Sequence, residues 1–587
     1  LNIVMKSNFY LLLLLISCNF SFSQNSKLSI VNIPDSLTKN ANSIVRFYDT
    51  NIEIKSPKKM TITVKKAVTV LNKLGDNEST IVVYYNKSTH ISKLKAYVYN
   101  VLGIEEKKIP KSDFIDHSVA DGFSLFNDSR LKYYNLTPTS YPYTMYYEYE
   151  VETSNTAFIP KWYPFSSYNQ SVENSTYKIT YPSDITVQKV EHNFEGFPIK
   201  LDTSDNNLHY EISNATAVDY EVLSKPFNNT FPNVIVGINK FNLEGIDGQA
   251  TNWNEISKWY YNNLISSRMN LPESTKIKIQ KLVKNINNPI EKAKAVYDFV
   301  QKKTRYISVQ VGIGGWMPML ASDVDRLSYG DCKALTNYTK TLMDAVGVES
   351  YYTLIYGSST KHDIESKVTT LQGNHMILNI PNNGNDIWLE CTSQTVPFGY
   401  QGTFTDDRDV LVVTPQGGII KHTSIYKTED NYQKTNAKYK IGSNLSLKAD
   451  VQIKTSGIQY NSHYGIEKES EREVEKHYKS DYWNYINNLK INSYSFDNNK
   501  DSIVFNENLN IEAEGYATTS GNRLLFIANP FNRTSYVPKR YRNRKLPLDI
   551  SRGYIDIDSF EITLPDEYTI EAIPNNIKIE NKFGSYQ

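Results

Sequence analysis

The feature that most constrains this chain is its hydrophobic period, which changes from two to 3.6 and back to two. Between about residues 26 and 238, apolar and polar residues alternate in short runs. Examples are Met60-Thr-Ile-Thr-Val-Lys-Lys-Ala-Val-Thr-Val-Leu71, Thr80-Ile-Val-Val-Tyr-Tyr85, Leu94-Lys-Ala-Tyr-Val-Tyr99 and Met145-Tyr-Tyr-Glu-Tyr-Glu-Val151. Leu74-Gly-Asp-Asn77 and Val101-Leu-Gly103 are turn signals between them. Such alternation gives each strand one apolar face, so a β-sandwich-like region is expected, in one piece or in two halves divided near Tyr163-Pro-Phe-Ser-Ser167. After Gly248 the spacing becomes helical. Asn252 is placed to cap a helix bearing Trp253, Ile256, Trp259, Tyr260 and Leu264, with both tryptophans as packing residues, and Ser274 to cap one bearing Ile277, Ile279, Leu282, Val283 and Ile286. Pro289 suits the first turn of a third helix, with Ala293, Val296, Tyr297 and Val300 on its apolar face. Alternation returns after about residue 425, as in 437–441 and 445–453, and is interrupted over 466–477 by a helical run of interleaved charges that reads as a solvated face.

A chain of 587 residues exceeds one domain, so a multidomain α+β protein is expected. The divisions read from the pattern are a signal peptide over 1–23, a β-rich domain over 24–245, a central α+β domain over 246–425 and a C-terminal β-rich domain over 426–587. The end at Tyr586-Gln587, with neither a helix cap nor a closing strand, is the pattern expected of a truncated domain. Lys+Arg of 64 against Asp+Glu of 63 offers no electrostatic reason to expect a nucleic-acid partner. The basic run Lys539-Arg-Tyr-Arg-Asn-Arg-Lys545 then reads as an exposed loop. The 44 tyrosines fit a soluble, strand-rich protein with polar-aromatic surfaces.

Lys6 followed by Tyr10-Leu-Leu-Leu-Leu-Leu-Ile16 and small residues has the layout of a secretory signal peptide. The run is shorter than the ~20 apolar residues of a spanning helix, and no later stretch reaches that length, so an integral membrane protein is not expected. Ser21-Phe-Ser23 before Gln24 suits ordinary signal cleavage, giving an exported protein of the periplasm or cell envelope. The alternative is Leu15-Ile-Ser-Cys18, which resembles a lipobox; acylation of Cys18 would make a lipoprotein and supply the one expected membrane contact.

Besides Cys18 the chain holds Cys332 and Cys391, too few for a disulfide scaffold. Cys332 lies in Ser328-Tyr-Gly-Asp-Cys-Lys-Ala-Leu-Thr336, just before a helical face of Leu335, Tyr338, Leu342 and Val346 that Gly347 ends. With Asp331 as N-cap, the thiol sits where free amides and the helix dipole favour a thiolate, although a buried structural thiol fits the same local pattern. In Asn374-His375-Met-Ile-Leu-Asn-Ile380, His375, Ile377 and Asn379 share one strand face; in Ile387-Trp-Leu-Glu390-Cys391, Trp388 and Glu390 share another. The turn Pro381-Asn-Asn-Gly-Asn-Asp386 lets the two strands pair as a hairpin, with His375 and Glu390 as neighbours. The carboxylate can then hold the ring while its other nitrogen faces Cys332, so the candidate catalytic triad is Cys332, His375 and Glu390.

Competing placements remain. Cys391 should point away from Glu390 into the core, and a Cys332–Cys391 bridge is the alternative that export would permit. His362, in a polar turn-like segment, is a rival base that reads as a solvated loop histidine. The glycines of Gly312-Ile-Gly-Gly-Trp-Met-Pro318 lack the context of a phosphate loop and read as a substrate-facing loop, with Gln310 and Trp316 bordering a cleft or serving structure. His90, His117, His192 and His209 are scattered, and no metal-ligand spacing occurs, so neither metal nor cofactor is expected.

Tyr-Gly-Asp-Cys-Lys, Asn-His-Met-Ile and Trp-Leu-Glu-Cys-Thr, in this order and spacing, resemble the three motifs of the bacterial transglutaminase-like superfamily of papain-like fold proteins. The motif match spans about residues 290 to 400, and the flanking β regions resemble that family's members in layout. The resemblance implies a papain-like core with Cys332 as nucleophile, His375 as base and Glu390 in a third position where Asp is commoner. It further implies peptide hydrolysis, amide transfer or deamidation, although some members have no demonstrated chemistry. The expected function is an exported cysteine peptidase, amidase or transglutaminase-type acyltransferase acting on a protein or a peptide-containing cell-envelope polymer. The alternative is a cell-envelope binding or assembly protein that keeps the fold as a scaffold. Oligomeric state has no signature in the sequence.

Overall fold

The computed structural model describes residues 26–119 and 124–587; the expected signal peptide over 1–23, with Cys18, lies outside the described residues. The chain is multidomain and strongly β-rich, with several separate sheets. The largest has eight strands, in the order Ile199–Ser204, Asn207–Ala215, Gln170–Thr180, Ser43–Ser56, Lys59–Val70, Tyr143–Thr153, Thr89–Tyr99 and Glu105–Pro110. All neighbours are antiparallel except Ser43–Ser56 with Gln170–Thr180, whose parallel pairing is closed by a long crossover. One half of this sheet packs against a three-stranded sheet, burying Val70, Ile81, Val83, Ala96 and Met145 together. The other half covers Trp162, Phe165, Tyr177, Tyr210 and Phe231.

Residues 163–167 do not divide the region into halves. The strands on either side belong to the same sheet, and Trp162 and Phe165 are buried beneath it. Their burial, with Trp162 Nε1 donating to Ser175 Oγ at 3.1 Å, makes this turn-rich stretch part of the core.

The central region carries four main helices and a five-stranded antiparallel sheet. Asn252 caps Trp253–Tyr260 by accepting from the Glu255 amide at 3.0 Å, and Asn288 caps Pro289–Lys303 by accepting from Ile290 and Glu291. Glu273–Leu282 starts after Pro272, so Ser274 lies in its first turn and is not its cap. A proline that closes the preceding turn in extended backbone sets the start before the serine can. The helix Cys332–Ala345 lies innermost, buried along nearly its whole length. Its Leu335, Tyr338 and Leu342 meet Ile279, Val296 and Val300 on the helical side and Leu378 and Leu389 on the sheet side, each worth roughly 1.5–3 kcal/mol on burial. The sheet runs Ile387–Leu389, His375–Ile380, Tyr351–Ile355, Asp409–Thr414, Gly417–His422.

The C-terminal sheet orders Leu489–Asn499, Val504–Ala513, Leu447–Ser456, Tyr432–Ile441 and Ile555–Thr563, the last pair parallel. Beneath it lie Tyr460, Tyr478, Trp483 and Phe531. The charged run is not one solvated helix. Only Glu471–Lys476 is α-helical, and it leads through a π turn into Tyr478, fully buried with its hydroxyl on Glu507. The basic run at 539–545 is a mostly exposed loop, as expected, and it is anchored at one end. Tyr541 accepts from the Val222 amide, Arg544 donates to the Val222 carbonyl at 2.7 Å, and the Lys545 and Leu546 amides donate to buried Glu221. This segment continues as a strap: Arg552 forms a two-pronged ion pair with buried Asp406 at 2.8 and 2.6 Å. Among the described residues no helix is long and apolar enough to cross a membrane.

Candidate active site

Cys332 is the first residue of its helix, and Asp331 caps that helix by accepting from the Ala334 amide at 3.0 Å. The turn into the helix is tight. Ser328 adopts a left-handed φ of 58°, and a Cβ on Gly330 would lie 2.7 Å from that of Ala334, so only glycine fits there. The cap takes the Ala334 amide and the Asp331 carbonyl takes that of Leu335, which leaves the Cys332 and Lys333 amides as the first-turn donors next to the thiol. Lys333, only 2% exposed, pairs with Asp331 at 2.5 Å, so the buried cap charge is neutralised within one residue of the nucleophile.

His375 opens its strand, and the hairpin register pairs Leu378 with Leu389, Asn379 with Trp388 and Ile380 with Ile387. Continued one step, that register sets Glu390 opposite Ile377, diagonal to His375 on the same face. His375 Nε2 lies 2.8 Å from Glu390 Oε2. The other carboxylate oxygen accepts from the Thr392 hydroxyl at 2.6 Å and amide at 3.2 Å, and Tyr297 donates to the Glu390 carbonyl at 2.7 Å. The carboxylate is thereby fixed from both ends. Cys332 also acts on the ring electrically, and with Nε2 committed to Glu390 it is Nδ1 that is left to serve the thiol. Phe404 meets the imidazole edge-on at 5.2 Å, and a Cβ on Gly357 would collide with that phenyl ring. The hairpin thus sets His375 and Glu390 in hydrogen-bond contact, and the cap places Cys332 at a helix start near enough to bear on the ring's charge.

The His375–Glu390 pair is buried, and burial opposes charge on both partners. For His375 this is outweighed by the Glu390 charge, by Cys332 and by the hydrogen bond with Glu390, which raise its pKa above the ordinary histidine value. For Glu390, burial is outweighed by His375 and by the Thr392 hydrogen bonds, which hold the carboxyl below its usual range. Near neutrality the pair is imidazolium and carboxylate, the form able to donate a proton from Nδ1.

Cys391 takes the opposite face and is buried under the Cys332 helix; burial pushes its thiol up to about 12. Both thiols are free, so the alternative bridge is not formed, and Cys391 is the structural thiol of the two. His362 lies outside this cluster. It is half-buried edge-on to Tyr356 at 4.2 Å, and it lines a separate cavity with His192 and Glu365. Burial, followed by nearby Lys161, lowers its pKa, so it is not the solvated histidine expected of a polar loop.

Cys332 lies in a cavity of about 540 Å³. Gln310 and Trp316 both line it, with Trp316 packed on Phe158 at 4.9 Å and its carbonyl accepting from Tyr260 at 3.0 Å. The opposite wall was not legible in the sequence. It comes from turns of the N-terminal β region carrying Asn86, Asp128, Asn155 and Glu244. Ser308–Gln310 pairs in parallel with Ser124–Asn127, and Asp128 accepts from the Gly312 amide at 3.1 Å, fastening that wall to the glycine-rich loop. Polar residues at strand turns are common, and only the tertiary fold aims these four at a thiol more than 80 residues away.

Family models match two parts of the chain. Residues 56–235 match DUF3857, described as a domain of unknown function with a solved structure, and residues 522–587 match DUF3858, described in the same terms. A search of the curated proteins gives no match. Among solved structures, the chain is similar to a candidate protease from Parabacteroides distasonis ATCC 8503, with a TM-score of 0.51 and 11% identity over 81% of this chain and 93% of that one. A candidate cysteine protease from Cytophaga hutchinsonii matches at 12% identity over 57% of this chain and 76% of that one, with a TM-score of 0.16. At these identities the first likeness is one of overall fold, and the second superposes too loosely to add to it.

Proposed function

We propose that the chain is an exported thiol enzyme of the transglutaminase-like superfamily, with a papain-like core, that acts on amide or peptide carbonyls through a Cys332 thioester. The observation that carries this reading is the His375–Glu390 pair at 2.8 Å, electrostatically coupled to a Cys332 that starts a helix and lines an open cleft. Cys332 Sγ attacks the carbonyl carbon, and the developing oxyanion faces the unpartnered amides of the helix start. The C–N bond then breaks as His375 Nδ1 protonates the leaving amine, and the thioester remains. Water or a second amine attacks it, His375 takes the incoming proton, and the Cys332 thiolate leaves. Water gives hydrolysis and an amine gives transfer.

The N-terminal pattern of Lys6 and Tyr10–Ile16 supports export to the periplasm or cell envelope, where a protein or peptide-containing polymer is the substrate class. Diacylglycerol on Cys18 would identify the lipoprotein route instead. The decisive test is a screen for amidase, peptidase and amine-incorporation activity, with iodoacetamide labelling of Cys332 alongside. Turnover and fast labelling in the wild type, both lost in Cys332→Ala and strongly reduced in His375→Ala, are expected. Equal, slow labelling in wild type and His375→Ala, without turnover, would leave the protein as a binding or assembly module.

A further inference from the structure

The cleft above Cys332 is asymmetric in charge. Its lining includes two carboxylates, Asp128 and Glu244, both from turns of the N-terminal β region. Glu244 Oε1 is held by neutral donors, the Ser88 hydroxyl at 2.8 Å and the Asn155 amide at 2.9 Å, and Asp128 Oδ2 by the Gly312 amide at 3.1 Å. Among the described residues neither carboxylate enters an ion pair. Lys333 is the one cation among the lining side chains, and it is already committed to Asp331 at 2.5 Å. Two partly exposed carboxylates in a concave site with no free cation in its lining focus a negative potential on its contents. Trp316, backed by Phe158 at 4.9 Å, adds an aromatic surface to the same cavity, a surface that attracts cations through the ring quadrupole.

We propose that this cleft selects substrates carrying an ammonium group close to the amide that Cys332 attacks, and that Asp128 and Glu244 are the residues that read it. The ammonium is either the free amino terminus of a short peptide or the side chain of a lysine-like diamino acid; the chemistry of recognition is the same. This rests on the thiol-enzyme reading of Cys332 and deepens it by naming the substrate class. It also gives the N-terminal β region a part in the site, as the wall that sets specificity for a nucleophile carried by the central region.

The test needs no knowledge of the natural substrate. Cys332 is titrated with three methanethiosulfonates of similar size, bearing an ammonium, a neutral methyl or a sulfonate group. In each case the thiolate forms a mixed disulfide with the reagent's sulfenyl sulfur and releases methanesulfinate. The full chain is expected to react about ten-fold faster with the ammonium reagent than with the neutral one, and more slowly still with the sulfonate. High salt should erase most of this preference in the wild type, a control that requires no variant. Asp128→Asn and Glu244→Gln keep the hydrogen-bond acceptors and should each lower the preference, with the double variant close to unity.

A preference that is absent, or that survives in both salt and the double variant, overturns the proposal while leaving Cys332 a reactive thiol. Failure of all three reagents would remove the thiol-enzyme reading itself, and the proposal with it. A second arm separates the two sources of ammonium using model peptides. Loss of turnover on N-acetylation assigns the amino terminus, and loss on replacing lysine by norleucine assigns the side chain. Indifference to both changes overturns the proposal.

Discussion

Glu390 carries more of the site than its position in the triad suggests, because both of its oxygens are engaged: one holds the His375 ring and the other accepts from Thr392. Glu390→Gln keeps the shape and removes the charge, leaving a buried ring without its counter-ion. Labelling of Cys332 and any turnover should fall on the order of 10²- to 10⁴-fold, and Glu390→Asp, one methylene short of the ring, should fall in between. The pH dependence of stability has two edges. The raised histidine contributes stability that is full below its ordinary value and is lost as pH rises through the higher folded value. The depressed Glu390 contributes stability that is present above the ordinary carboxylate range and is lost as pH falls through the lower folded value. The melting-temperature difference between wild type and Glu390→Gln should therefore be greatest near neutrality and shrink toward both extremes. A difference independent of pH would show that the pair is not ionised in the folded protein.

At the scale of the element, the start of the Cys332 helix joins a cap, a buried ion pair and a nucleophile within three residues. Asp331→Ala removes the cap and strands the Lys333 ammonium in a nearly closed site, so a loss of about 3–5 kcal/mol is expected in chemical denaturation. Asp331→Asn combined with Lys333→Met keeps the cap and removes both charges, and should recover most of that loss. This element was readable from the sequence because its determinants are local. A cap lies within three residues of the amide it serves, which made Asp331 and Asn252 visible, a proline marks a helix's first turn, which made Pro289 visible, and a six-residue turn ties His375 to Glu390. Where a local rule met a stronger neighbour, as with Ser274 after Pro272, the helix start was misplaced. Asp128 and Glu244 had no comparable signal, because a polar residue in a strand turn looks the same whether it faces solvent or a thiol. The aromatic residues at 162–165 were hidden in the reverse way, by turn-forming neighbours that imitate a linker.

On the scale of the whole molecule, the strap at 541–552 binds three regions at once. It leaves the C-terminal domain, bonds Glu221 and Val222 of the N-terminal region, pairs Leu548 with Ser224, and reaches Asp406 in the central region through Arg552. Arg552 also donates to the Thr403 carbonyl at 3.1 Å, next to the Phe404 that lies against His375. Arg552→Ala leaves buried Asp406 with only its longer pair to Arg408 at 3.6 Å and should cost about 1–3 kcal/mol. Faster amide exchange over 402–406 and weaker His375-dependent labelling should accompany it, whereas a purely peripheral contact would change neither. These contacts join residues more than 140 positions apart, beyond the reach of any periodicity. Their order in the chain has a consequence in time. During synthesis the nucleophile, base and carboxylate all emerge well before Arg552 and before Ile555–Thr563, the strand that completes the C-terminal sheet. The loop supporting the base can be locked only after those later residues have appeared, so a nascent chain passes through a stage in which the three site residues are present and the clamp is not.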